Sequence, residues 1–371
     1  MCRAQRKPPI KHGRCLWVGS GWQPPGANPG GGFPVMFTAL RTPGLAVFLC
    51  AQLLAGYVGG TETVPNLTNP PGAAAKLRGV HRIVFLGDSI TQAGDYITDV
   101  ECWLLTQGWQ VEVLNLGLGS ETATDLKPQE NEGHLKMHGF GRPSVSERLE
   151  RALTATRPDV LFVCYGMNDA GVLPSDANGD GRFAAAITHL RDAAFQAGVK
   201  RVVICTPPPH DARGKAARKN HDENLTRYTA WLLSKRAGGW EVVDFHTPLR
   251  NALVAGRAED PAFAFAPDGV HPGREGHWLM ACEVIRQFFG ADVDGVASAE
   301  KLFPSHGAEV RKLASERMQV LFNAWMTKIG HTRPGVAGGP GEKPGLPVAE
   351  ATTQAAELTA QIIRTTASPK N

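Results

Sequence analysis

The chain lacks the usual sequence marks of a metal or redox site. It has seven cysteines in 371 residues, no Cys-x-x-Cys pair and no His-rich spacing, so neither a metal nor a cofactor is expected. Past residue 60 only Cys102, Cys164, Cys205 and Cys282 remain. Cys164 and Cys205 fall inside apolar runs, where a thiol behaves as a small core hydrophobe. No apolar run approaches the ~20 residues of a membrane span, and no internal repeat of solenoid period is visible. An excess of base is also missing from the body of the chain. The formal charge is +4, but six of the 39 Lys and Arg lie in residues 1–60, which hold no Asp or Glu. The rest carries 33 bases against 35 acids, a net charge of −2. A near-neutral body excludes nucleic acid as an expected partner.

What is present begins with a leader. Gly44 to Ala55 is a short apolar run preceded by Arg41 and followed by Gly56, Gly59 and Gly60. A basic start, an apolar middle of about a dozen residues and a small-residue exit predict a secretory signal peptide. Met36 is the expected start, residues 1–35 a Pro/Gly-rich extension, and cleavage is expected near Gly60. The product is expected to be secreted or periplasmic, with no integral span in the mature chain. Residues 61–78 read as a linker.

From Arg82 the pattern alternates. Short, almost wholly apolar runs at Arg82–Leu86, Val111–Asn115, Val160–Tyr165, Arg201–Thr206 and Glu241–Phe245 predict strands buried on both faces. Helical spacing lies near 95–107, 144–156, 182–197, 219–236 and 273–289. This alternation predicts an α/β fold, a three-layer α/β/α sandwich on a five-stranded parallel sheet of flavodoxin-like type, over 79–290. A helical extension is expected over 291–330, then a Pro/Gly-rich linker and terminal helix over 331–371. Ligands of such sheets bind at the carboxyl ends of the strands.

Three of four chemistry-bearing motifs follow strand candidates. Gly87-Asp88-Ser89 places a hydroxyl after the first, where a neighbouring base could activate it. Asn115-Leu116-Gly117-Leu118-Gly119-Ser120-Glu121-Thr122 follows the second and can offer backbone N–H groups; it lacks the spacing and acidic partner of a dinucleotide loop. Gly166-Met167-Asn168-Asp169 follows the third, with a side-chain amide able to donate to an oxyanion. Asp268-Gly269-Val270-His271 precedes the helix expected near 273–289, where Asp268 could orient His271 as a general base. Each alone also fits a helix cap or a turn. Together they supply nucleophile, base, orienting carboxylate and oxyanion donors at one crevice.

From about His81 to Phe289 the chain resembles the SGNH, or GDSL-type, hydrolases. Gly87-Asp88-Ser89, Gly166-Met167-Asn168-Asp169 and Asp268-Gly269-Val270-His271 match the family's first, third and fifth blocks in order. The resemblance implies a Ser89–His271–Asp268 triad and an oxyanion hole from the Ser89 N–H, the Asn168 amide and one second-block N–H. That block departs from Asn-x-Gly-x-x-Gly-x-Thr: Asn115, Gly117 and Thr122 fit, but the second Gly position holds Ser120, with Gly119 one residue earlier. Gly119 and Ser120 therefore both stand as candidate donors. Asp88, Arg142 and Asp169 are added as substrate-binding candidates. The texture of 115–126 and 270–278 is similar to exported bacterial carbohydrate acetylesterases. The resemblance thus implies a secreted, metal-independent serine esterase acting on an acylated small molecule or polysaccharide. A lysophospholipase or thioesterase, and a silent carbohydrate-binding protein of the same fold, stand as alternatives.

Other signals are read more plainly. Asp176 to Gly181 mimics a calcium loop, but the twelfth position is Ile187 rather than Glu, so it reads as a surface loop. His134 and His138, with Arg142, lie in or near a Gly-rich loop over 131–143 that could wall the substrate. His210 and His221 flank a basic stretch read as solvated. Asn66 and Asn224 open glycosylation sequons.

Overall fold

The structure, a computed structural model, describes residues 71–214 and 220–367. The leader run, Met36, the Asn66 sequon and the basic positions Lys215, Arg218 and Lys219 lie outside the described residues.

Strands form where the short apolar runs stand: β1 Arg82–Gly87, β2 Glu112–Gly117, β3 Val160–Cys164, β4 Arg201–Cys205 and β5 Glu241–Val243. They pair in parallel in the order β2-β1-β3-β4-β5. Every residue of β3 is buried, as a central strand covered on both faces requires. The helices are α1 Pro71–Leu77, α2 Ser89–Ala93, α3 Asp95–Thr106, α4 Pro128–His138, α5 Leu149–Thr156 and α6 Met167–Ala170. They continue as α7 Ala177–Gln196, α8 His221–Ser234, α9 His246–Glu259 and α10 Arg274–Glu283, whose end widens into a π-turn through Phe289. Then follow α11 Gly307–Ile329 and α12 Val348–Ala367. Helix α3 packs on α10, and α7 packs on α5 and α8, as helices covering the two faces of a parallel sheet do. The result is the expected three-layer sandwich.

The strand order reverses between β1 and β3, and such a switch point opens a crevice at the strands' carboxyl ends. Register makes the ends level: Gly87 pairs with Gly117 on one side and Cys164 on the other. Two glycines let α2 sit hard against this edge. A Cβ on Gly87 would lie 2.2 Å from Thr91 Oγ1 and 2.6 Å from the Cys164 carbonyl oxygen; one on Gly117 would lie 2.2 Å from the Gln92 nitrogen. Neither neighbour is free to yield.

Several elements differ from the sequence reading. The 131–143 stretch is not a loop throughout, because α4 runs to His138 despite Gly133. Its start carries Pro128 in the first turn, and the Glu130 carboxylate accepts the Lys127 N–H at 2.7 Å. Part of the 61–78 linker is α1. Helix α9 went unread because only His246 and Leu249 of its length are buried, too thin a stripe to show as periodicity. The Asp176 segment opens α7, with the Asp176 carboxylate capping the Asn178 and Gly179 N–H groups at 2.9 Å.

The apolar core runs on past residue 290. Helix α11 lies on α3 and β2, burying Val310, Ala314, Trp325 and Met326. Arg311 bridges Asp99 at 2.7 Å and Asp95 at 2.6 Å. Helix α12 covers α11 with Ala351, Ala355, Leu358 and Ile362. Trp325→Ala should therefore destabilise the protein by about 3–5 kcal/mol in denaturant unfolding, as a core substitution does. A loss below ~1 kcal/mol would make α11 peripheral.

Candidate active site

Level strand ends gather the motifs. Ser89 opens α2 after β1, Gly119 and Ser120 form a turn after β2, and Asn168 lies in α6 after β3. Ser89 Oγ is 2.8 Å from His271 Nε2, although 182 positions separate them. His271 Nδ1 is 2.6 Å from Asp268 Oδ2. The other Asp268 oxygen accepts the His271 and Val270 N–H groups, both at 2.8 Å. Burial would raise the Asp268 carboxyl, but these bonds outweigh it and hold the group below the ordinary Asp range. An ionised Asp268 fixes the His271 tautomer, with the proton on Nδ1 and the lone pair of Nε2 aimed at Ser89.

The 210–214 segment, expected to be solvated, braces this loop instead. His210 is buried and stacks on buried His221 at 4.3 Å. The Asp211 N–H donates to the Gly269 carbonyl at 2.9 Å. Gly214 approaches so closely that a Cβ there would lie 2.1 Å from the Gly269 nitrogen.

The two second-block candidates differ in their bonding. The Gly119 N–H already donates to Gln92 Oε1 at 2.6 Å. The Ser120 N–H has no acceptor among the described residues. Ser120 sits at φ 68°, a left-handed conformation that disfavours a side chain by about 1–2 kcal/mol. Its hydroxyl is 3.2 Å from His134 Nε2, and His134 Nδ1 is 2.8 Å from the Phe140 carbonyl. Burial first, then the positive charge of Arg142 and Arg333, holds His134 down at about 4. The ring is neutral at pH 7, donates to Phe140 through Nδ1 and accepts the Ser120 hydroxyl proton at Nε2. Asn168 is gripped at both ends of its amide. Arg142 Nη1 donates to Oδ1 at 2.7 Å, and Nδ2 donates to the Glu121 carbonyl at 2.9 Å. Its second Nδ2–H is left for the crevice. The Ser89 N–H, in the first turn of α2, has no intrahelical acceptor.

Beneath Ser120 lies a charge pair with no exposed surface. Arg148 Nε and Nη2 reach the two Glu121 oxygens at 2.6 Å, Nη2 also donates to the Leu116 carbonyl at 2.7 Å, and the Tyr165 hydroxyl donates to Glu121. Glu121 lay within the second-block motif with no role assigned to it, and no motif marked Arg148 or Gln92 in the sequence.

Two substrate-binding candidates are corrected. Asp88 and Asp169 are 2% and 0% exposed. Asp88 caps α2 through the Ile90 N–H at 3.0 Å. Asp169 accepts the Ala123 and Thr124 N–H groups at 3.2 and 2.9 Å. Adjacency to a reactive residue gave neither of them access to the crevice. Arg142 does line it.

The pocket over Ser89 has a volume of about 260 Å³. Ser89, Val270 and His271 line one part, Gly119, Ser120, Met167 and Asn168 another, and His134, His138, Arg142 and His221 the rest. Arg333, from the segment read as a linker, completes it. No Asp or Glu is among these residues.

Residues 85–279 match the model of the GDSL-like lipase/acylhydrolase family. That is more than half of the chain, and the chain belongs to this family. It is a hydrolase acting on carboxylic esters. Among solved structures it is similar to a gut microbial diltiazem-metabolizing enzyme, at 24% identity and a TM-score of 0.42, over 56% of this chain and 47% of that one. It is also similar to the acetylxylan esterase Axe2 from Geobacillus stearothermophilus, at 19% identity, TM-score 0.40, over 56% and 94% of the two chains. The lipase/acylhydrolase from Enterococcus faecalis aligns at 21% identity, TM-score 0.41, over 57% and 97%. No curated protein matches the chain.

Asp88 gives this edge a pH signature. Burial pushes its carboxyl up to about 7, against the opposing pull of the Ile90 N–H and of His271. The folded protein therefore holds a proton there that the unfolded chain has released above its ordinary value near 3.9. Stability falls as pH rises through that window and levels off above pH 7. Asp88→Asn keeps a capping side chain without the titration. Its stability relative to wild type should rise between pH 4 and 8 by about 2–4 kcal/mol in urea unfolding. A difference independent of pH would contradict this reading.

Proposed function

We propose that the protein is an exported serine esterase that removes short acyl groups, acetate foremost, from a carbohydrate. The observation that carries this is the unbroken relay from Ser89 Oγ to His271 Nε2 at 2.8 Å and from His271 Nδ1 to Asp268 at 2.6 Å. Ser89 Oγ attacks the ester carbonyl while His271 takes its proton at Nε2, and Asp268 stabilises the imidazolium. The carbonyl oxygen becomes an anion that accepts from the Ser89 N–H, the Ser120 N–H and the Asn168 amide. The tetrahedral intermediate collapses, the C–O bond to the alcohol breaks, and His271 returns the proton to the leaving oxygen. Water, deprotonated by His271, then attacks the acyl-Ser89 ester and releases the acid. Ser89→Ala should abolish turnover of 4-nitrophenyl acetate. Asn168→Ala should lower kcat about 10²–10³-fold with a cooperative melt preserved. Activity of Ser89→Ala near the wild-type level would remove the reading.

Acetate is favoured by the size and lining of the pocket. A volume of about 260 Å³ with Met167 and Val270 as its apolar side chains offers a fatty chain little surface to bury. Across 4-nitrophenyl esters, kcat/KM should therefore be highest for acetate and fall at least tenfold by octanoate, about 1.4 kcal/mol. A rise with chain length would make the protein a lipid esterase. Export rests on the leader composition alone.

A further inference from the structure

Arg333 is a guanidinium lodged in this pocket without a counter-charge. It enters from the segment after α11, on a turn tied at several points. His331 Nε2 is 3.0 Å from the Ala337 carbonyl, the Gly335 N–H donates to Glu342 at 3.0 Å, and Arg333 Nη1 donates to the Pro334 carbonyl at 2.7 Å. The turn is anchored to the sheet domain through Arg151, whose Nε donates to the Ile329 carbonyl at 2.9 Å, and Thr332, whose hydroxyl donates to Glu147 at 2.8 Å. The side chain packs on the Phe140 ring, 5.5 Å from its centroid. It also lies against the second-block turn, where a Cβ on Gly119 would be 3.0 Å from Arg333 Nε.

The placement is ordered and polar, yet incomplete. Nε is buried with no hydrogen-bond acceptor, and no carboxylate lies within 4 Å of this guanidinium among the described residues. Three other part-buried arginines of the fold have such a partner: Arg182 with Glu130, Arg311 with Asp99, Arg317 with Glu101. Burial disfavours the Arg333 charge, but a guanidinium does not release its proton in a protein. A fixed cation at the wall of a pocket that has two arginines and no acid in its lining is complementary to an anion.

Resting on the esterase reading of the same pocket, we infer that the substrate carries an anionic oxygen group beside the scissile ester, and that Arg333 recognises it. The anion could belong to the acyl part, as in a dicarboxylic half-ester, or to the alcohol part, as in an acylated acidic sugar. A charge-assisted hydrogen bond made by the correct substrate alone gives discrimination of about 10–100-fold.

Two matched pairs test this with the full chain. On the acyl side, 4-nitrophenyl hemisuccinate is compared with 4-nitrophenyl butyrate. On the alcohol side, an O-acetylated methyl hexuronoside is compared with its neutral methyl ester. Wild-type kcat/KM should favour the anionic member of one pair about 10–100-fold, and the pair that responds identifies the source. Raising the salt should shrink that preference. Arg333→Gln should bring the ratio near one by raising KM for the anionic member, and Arg333→Lys should keep part of it. Absence of preference in both pairs, with 4-nitrophenyl acetate still turned over, overturns the inference and leaves the esterase reading standing. Equal loss on anionic and neutral members in Arg333→Gln also overturns it, since Arg333 would then serve the reaction's own oxyanion. An enzyme inert toward 4-nitrophenyl acetate as well would fail the esterase reading first.

Discussion

The site hangs on one buried ion pair. Glu121 and Arg148 are out of contact with water, and the Glu121 carboxylate is held by two guanidinium nitrogens and the Tyr165 hydroxyl. A pair of this kind adds little net stability, because desolvating both charges offsets their attraction. Its effect here is positional. Glu121 follows Ser120 directly, and its carbonyl takes one N–H of Asn168. One buried charge thus fixes groups that come after two different strands. It also explains how Ser120 persists at φ 68° where glycine would be unstrained. The chain on the C-terminal side is anchored through Glu121, and the Ser120 hydroxyl is held by a neutral His134. The strain is met by bonds that a glycine could not all make.

Much of this was legible in the sequence, for identifiable reasons. Strands covered on both faces must be short and apolar, and all five stand out on that ground. Ser89, Asn168, Asp268 and His271 were legible because each lies just past a strand or just before a helix, where a parallel sheet opens its crevice. What stayed hidden is what depends on a single distant contact. Every residue but proline has an N–H, so no pattern separates Gly119 from Ser120; the Gln92 side chain distinguishes them by occupying the Gly119 N–H. Asp88 and Asp169 looked reachable because they neighbour reactive positions, yet a residue next to an exposed one in a tight turn faces inward. Gly133 hid α4, whose capping residues Pro128 and Glu130 were nonetheless in view. Arg333 sits among Pro and Gly in a stretch whose composition signals a linker and says nothing of where it docks.

The C-terminal extension thus has two roles in one run of chain. Helix α11 completes the core against α3 and β2, and the turn behind it delivers a cation to the rim of the sheet. The region built last in sequence shapes a pocket whose chemistry comes from Ser89, Asn168, Asp268 and His271, all earlier in the chain. The pocket that results is small, polar and positive, and the reading of short, anionic esters follows from those properties.

The central claim is that Ser89 is a nucleophile made reactive by His271. Treating the folded protein with a fluorophosphonate and mapping the adduct by mass spectrometry tests it most directly. The account predicts one stoichiometric adduct on the Ser89 peptide, lost in His271→Ala while the protein still melts cooperatively. An unlabelled wild-type protein, or an adduct on another residue, would contradict it.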